Sequence, residues 1–167
     1  ALLPAGAVAA IGDSSCTFRI ASIAKMLVGW TLLVADEEGT LALDTPAGQP
    51  GCTVRHLMAH AGGYAFDGPD PIAKPGVRRI YSNTGIDLAA LADAAQMPYG
   101  DYFAEALLHP LQLRNTTLKG SPAHAVISTV DDMLVFVRET VAPKLLSPAS
   151  ADAFRSVQFA GLPGVVP

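Results

Sequence analysis

Apolar residues recur every three or four positions from residue 23 to residue 34: Ile23, Met26, Leu27, Trp30, Leu33 and Val34. This spacing predicts a helix opening at or near Ser22 and running to Glu38, with Gly39 as its stop. Because Val28, Leu32 and Ala35 put apolar groups on the other faces too, the helix reads as central and buried. Residues Ala7 to Ile11 read as a short strand and Gly12 to Thr17 as a turn. Downstream, "LALDTPAGQPG" is a Pro/Gly loop, and Thr53 caps a short helix through His60. The stretch "AGGYAFDGPDPIAKPG" that follows is long and irregular, a length that compact domains keep mainly where a loop lines a site. Helical patterns return at Asn83 to Gln96, Tyr99 to His109, Thr129 to Val141 and Ser147 to Val157. The inventory is five or six helices with one or two strands at most.

Composition narrows the function classes. Half of the 167 residues are hydrophobic, 16% are charged and the net charge is −4, which describes a globular chain with a real core. The only adjacent basic pair is Arg78-Arg79, so nothing marks a nucleic-acid or anionic-membrane surface. The longest apolar run, Met26 to Ala35, is too short to span a bilayer. Cys16 and Cys52 lack metal-knuckle spacing and read as buried thiols. His56 and His60 are four residues apart, but Leu57 stands where a zinc protease needs its glutamate, so no metal site is expected from them. Asn115-Thr116-Thr117 matches a three-residue sequon, too short a motif to carry an argument. His109 and His124 read as surface or helix-end residues, and Asp36-Glu37-Glu38 and Asp131-Asp132 as solvated helix-end charges.

Two small groups of residues carry candidate chemistry. On a helix, Lys25 lies three residues after Ser22, about 60° round the axis, so the two side chains share a face. An amine desolvated by apolar neighbours can take the serine proton and make a nucleophile, and N–H groups at the helix start can stabilise an oxyanion. By itself S-x-x-K arises easily by chance. The second group is Tyr81-Ser82-Asn83, a phenol and a carboxamide at a loop-to-helix junction, suited to relaying a proton and binding a carbonyl. Taken alone, it reads equally as a core tyrosine followed by an N-cap asparagine.

Six segments, "FRIASIAK", "GTLALDTP", "TVRHLMAHAGGY", "KPGVRRIYSNTGIDLAALA", "LLHPLQLRNTT" and "STVDDMLVF", stand in an order and spacing that resemble the serine β-lactamase and penicillin-binding-protein superfamily. The nearest branch is that of the class C β-lactamase-like esterases and D-aminopeptidases. The resemblance implies an α+β, β-lactamase/transpeptidase-like fold, present here mainly as its helical subdomain and nucleophile helix, with most of the sheet absent. One domain over residues 1–167, incomplete at both ends, is expected. It further implies Ser22 as the acylated nucleophile, Lys25 as its proton acceptor, Tyr81 as proton shuttle and Asn83 as the ligand of a substrate carbonyl. His60, Gly62 and Gly63 are expected to shape a tight turn under the site, Gly62 standing where the family's His-x-Ser-Gly element has serine. The implied reaction is acyl transfer on an ester, amide, D-amino-acid peptide or β-lactam bond of a small-molecule or peptide substrate, with no metal or organic cofactor. A silent binding module and a DD-carboxypeptidase remain open alternatives. No Lys-Thr-Gly or His-x-Gly triplet follows residue 137, although the superfamily uses such an element to complete its oxyanion hole. Relatives of this kind occur in bacteria in the periplasm, outside the cell or in the cytoplasm, and no compartment is assigned.

Overall fold

The computed structural model describes residues 11–92 and 97–164. The chain enters through a short strand, β1 (Phe18–Arg19), and a 3-10 turn, Ala21–Ile23, that leads into helix α1 (Ala24–Glu38). The regular α-helix thus starts two residues after Ser22, which sits in the tighter entry turn. Most of the expected strand at residues 7–11, and the last turn of the expected Asn83–Gln96 helix, lie outside the described residues.

Helix α1 is the centre of the molecule. Every residue from Leu27 to Ala35 is buried, as the lack of a polar face predicted. Trp30 is fully buried and meets Phe136 and Phe154 edge-on, at centroid distances of 6.1 and 5.0 Å. These rings come from helices α6 (Val130–Val141) and α7 (Pro148–Arg155), so both fasten to one indole. At its end α1 stops at Gly39, whose φ of 73° lets the chain close the helix with a left-handed residue.

Around α1 stand α2 (Val54–Met58), α3 (Asn83–Ala90) and a helical run formed by α4 (Tyr99–Phe103), a π-helical turn (Ala104–Leu108) and α5 (His109–Leu111). The π turn packs on α1, placing Leu107 in the core. Capping residues set the starts of α2, α6 and α7: Thr53, Thr129 and Ser147 accept from the N–H groups of His56, Asp132 and Ser150. Strands β2 (Thr117–Leu118) and β3 (Val126–Ser128) join β1 in an antiparallel sheet of order β1-β3-β2. The fold is α+β, with one strand more than the sequence pattern suggested, because pairs of two and three residues are too short to show alternation.

Two expectations need correction. Cys16 is exposed, and only Cys52 is a buried thiol. Asp132 is buried rather than solvated, and its Oδ2 accepts from the Asn115 N–H at 2.8 Å and the Thr116 hydroxyl at 2.7 Å. At the end of α1, Glu37 and Glu38 are exposed as expected and Asp36 is half-buried, and each also has a partner: Asp36 accepts from Leu43 N–H, Glu37 from Ser147 N–H and Glu38 from the Tyr102 hydroxyl. Their unfavourable position at the negative end of the helix dipole is offset by donors brought from other elements.

Candidate active site

The entry turn of α1 presents Ser22 to solvent. The residue before it, Ala21, has φ 48°, a left-handed conformation that costs a non-glycine residue about 1–2 kcal/mol. One turn further, Lys25 is buried, and its Nζ donates to Ser22 Oγ at 3.1 Å. The same amine donates to Asn83 Oδ1 at 2.7 Å and to the Ala123 carbonyl at 3.0 Å. Tyr81 places its ring 4.8 Å from Nζ. Structure and sequence therefore agree that Ser22, Lys25, Tyr81 and Asn83 form one cluster, although Asn83 is 58 residues from Lys25 in the chain.

The surround of the amine differs from the expected apolar one. Three oxygens and an aromatic face receive Nζ, so its position is fixed by polar partners from three parts of the chain. The N-cap reading of Asn83 also resolves. The cap of α3 is Ser82, whose Oγ accepts from Gly85 N–H at 2.9 Å and donates to the Ala65 carbonyl at 2.6 Å. Asn83 is thereby free to turn its carboxamide inward, oxygen on Lys25 and nitrogen on Asp67 Oδ1 at 3.0 Å. One carboxamide N–H remains for another acceptor.

Below this cluster lies the turn built from His60 to Gly63. Gly63 has φ 82°, and a Cβ there would fall on the Ala73 carbonyl, so the chain can pass only without a side chain. Gln49 ties the same place, donating to the carbonyls of Gly62 and Ala73 at 2.7 and 2.8 Å. The imidazole of His60 is pushed down to about 4, first by burial and then by the positive charges of Lys25 and Arg79. Beside the cluster opens a cavity of about 430 Å³ whose lining includes Lys25, Met26, His60, Arg79, Tyr81 and Phe154. Among the described residues no group of His, Cys, Asp or Glu is arranged to hold a metal ion. No described helix is long and apolar enough to cross a membrane.

Sequence reasoning did not find Asp67, Arg79 or the Ala123 carbonyl. Asp67 sits in a loop without pattern, and a carbonyl has no sequence signature.

A serine, a lysine and a Tyr-x-Asn element on this α+β frame define the serine β-lactamase and penicillin-binding-protein-like superfamily. The Beta-lactamase family model matches residues 16–165, and the chain belongs to that family. A crystal structure of a beta-lactamase from Mycobacterium bovis is similar over 98% of this chain, with 41% identity and a TM-score of 0.93. The match takes in 62% of that chain, so this sequence spans less than two thirds of the relative's length. The D-stereospecific amidohydrolase of a Streptomyces species shares the fold at 22% identity, TM-score 0.75, over 84% of this chain and 65% of that one. A beta-lactamase/D-alanine carboxypeptidase from Yersinia pestis does so at 21%, TM-score 0.72, over 86% and 59%. No curated protein matches the sequence.

Proposed function

We propose that the chain carries the nucleophile half of a serine hydrolase site that forms an acyl-enzyme on Ser22. The observation that carries this reading is the contact of Lys25 Nζ with both Ser22 Oγ, at 3.1 Å, and Asn83 Oδ1, at 2.7 Å. With the amine unprotonated, the Ser22 contact runs in reverse and Nζ takes the hydroxyl proton as Oγ attacks a carbonyl carbon. The carbonyl oxygen gains the negative charge; the N–H groups of Ile23 and Ala24 are engaged within the entry turn, so the backbone N–H of Ser22 itself would receive it. Collapse of that intermediate breaks the bond to the amine or alcohol, which leaves with a proton relayed through Lys25 and Tyr81. Water then attacks the Ser22 ester, expelling the acid and returning the proton to Oγ. Asn83 holds the substrate carbonyl or amide through its remaining N–H.

The substrate is an ester, amide or peptide, and an esterase or peptidase fits better than a dedicated lactamase. That preference rests on the resemblance in the first instance. The names borne on the same fold divide: those of a Streptomyces amidohydrolase and a Yersinia beta-lactamase/D-alanine carboxypeptidase leave room for it, whereas the Mycobacterium bovis relative is named a beta-lactamase. The oxyanion hole of the superfamily draws on a Lys/His-x-Gly strand that has no counterpart after residue 137. In enzymes of this mechanism, losing one such donor typically costs about 100- to 1000-fold in turnover.

The test is intact-mass spectrometry after incubation with a fluorophosphonate and, separately, a penicillin. One adduct per chain, absent in Ser22→Ala, is the expected result. A chain unlabelled by both reagents is the silent module, and the hydrolase reading of it is then wrong.

A further inference from the structure

The contacts of residues 80–82 with residue 60 surround Tyr81 on three sides. Ile80 donates its N–H to the His60 carbonyl at 2.8 Å, and Ser82 donates its N–H to His60 Nδ1 at 3.2 Å. Between these two bonds the imidazole lies against the Tyr81 ring, centroids 4.5 Å apart and planes inclined by 50°. One residue thus holds the backbone on both sides of Tyr81 and touches the ring itself. To do so it adopts φ 57°, a left-handed conformation that histidine tolerates better than most residues. A histidine that only shaped the turn would need neither the Ser82 bond nor the ring contact.

We propose that His60, acting as a neutral imidazole, is the positioning residue that sets Tyr81 against Lys25. The inference rests on the serine-hydrolase reading for its catalytic consequence, and on the contacts above for its geometry. Ser82 N–H is a donor, so Nδ1 must offer a lone pair, and the ring's single proton sits on Nε2. Adding a second proton would set donor against donor at Ser82. It would also place a positive ring near the two cations that face it, Lys25 from α1 and Arg79 from the segment that carries Tyr81. From its own side the neighbouring charged or titratable groups are Arg55 and His56 on α2. The Tyr81 phenol is the titratable group in contact with the ring. Acidification therefore releases Ser82 and lets the Tyr81 ring leave its place.

Two measurements on the full chain test this. Long-range proton–nitrogen NMR of the imidazoles is expected to show His60 with its proton on Nε2 at neutral pH. Its titration midpoint is expected well below that of an ordinary histidine, and the Tyr81 ring resonances are expected to move with the same midpoint. The second measurement is the rate of fluorophosphonate labelling from pH 4 to pH 8 in the wild type, His60→Asn and His60→Leu. Asparagine tolerates the left-handed backbone and keeps an acceptor, but does not titrate. The H60N chain is expected to label within about threefold of wild type at neutral pH, without the acid-side fall that follows the His60 midpoint. Leucine offers no acceptor, and labelling is expected to slow about 100-fold, the scale for a reacting group displaced by about 1 Å. Tyr81 resonances indifferent to His60 protonation, or equal rates and equal pH profiles in wild type and H60L, overturn the proposal. If no variant labels at any pH, the hydrolase reading has failed, and the NMR titration alone decides whether His60 sets Tyr81.

Discussion

Acidification from pH 7 to pH 4 should weaken the fold through His60 in particular. In the unfolded chain this imidazole titrates near 6.5, whereas in the fold it is held down to about 4. Between those values the unfolded state binds the proton and the folded state refuses it, so stability falls as pH falls through the window. At about 1.4 kcal/mol per pH unit, the accumulated loss is about 3 kcal/mol. The contribution is fully retained above 6.5 and fully spent below 4. Burial is the main cause and the Lys25 and Arg79 charges add to it, so salt should reduce the effect only in part. The assay is urea unfolding of wild type and His60→Asn at pH 7, 6, 5 and 4.5. Carboxylates and the other histidines titrate in both chains, so they cancel in the difference. The gap between the two free energies should move by about 2 kcal/mol or more in favour of the variant across that range. A gap that stays constant within about 0.5 kcal/mol, whatever its size at pH 7, refutes the reasoning.

Other perturbations follow from contacts of the same kind. Gly63→Ala meets the Ala73 carbonyl at a φ of 82°, and a loss of about 2–4 kcal/mol is expected in chemical denaturation. Asp132→Asn keeps the shape but weakens two acceptor bonds to Asn115 and Thr116. It should cost about 1–3 kcal/mol, read as a Tm lower by roughly 2–12 °C. Trp30→Ala empties the space between Phe136 and Phe154 and should cost about 3–5 kcal/mol. Trp30→Phe should cost clearly less, because the indole N–H it removes is buried without a partner, and equal losses in the two variants would contradict this account.

The elements legible in the sequence were those specified by neighbours in the chain. The apolar spacing of α1 is local, as is the cap Thr53, and the starts of α1, α2, α6 and α7 were all placed within two residues. The Ser22–Lys25 contact was legible for the same reason, being one helical turn apart. What escaped depends on residues far apart. Lys25 has the carbonyl of Ala123, 98 positions away, as a partner, so its local apolar neighbours misdescribed its environment. Asp132 looked like a solvated first-turn acid until Asn115 and Thr116 were seen to cover it. Strand β1 pairs Phe18 with Ser128 across more than a hundred residues, and a two-residue strand has no period to detect. Resemblance to a family closed part of this gap, since Asn83 could be assigned inward on its motif although propensity alone allowed an N-cap.

The same long-range bonds decide which variants test chemistry and which test folding. Ser22 is exposed and gives Lys25 one of its three hydrogen bonds, so Ser22→Ala removes the nucleophile and leaves the other two bonds in place. Its stability should stay within about 0.5 kcal/mol of wild type, and any loss of labelling then belongs to the missing hydroxyl. Lys25→Met removes the donor shared by Asn83 Oδ1 and the Ala123 carbonyl, both on buried residues. Each acceptor left unpaired costs about 1–3 kcal/mol, so this variant should be less stable by about 2–6 kcal/mol as well as unlabelled. Thermal unfolding of the two variants side by side checks the distinction. Equal melting temperatures would mean that Lys25 does not hold α1 to α3 and to the segment before β3, and that its buried contacts contribute nothing beyond the reaction.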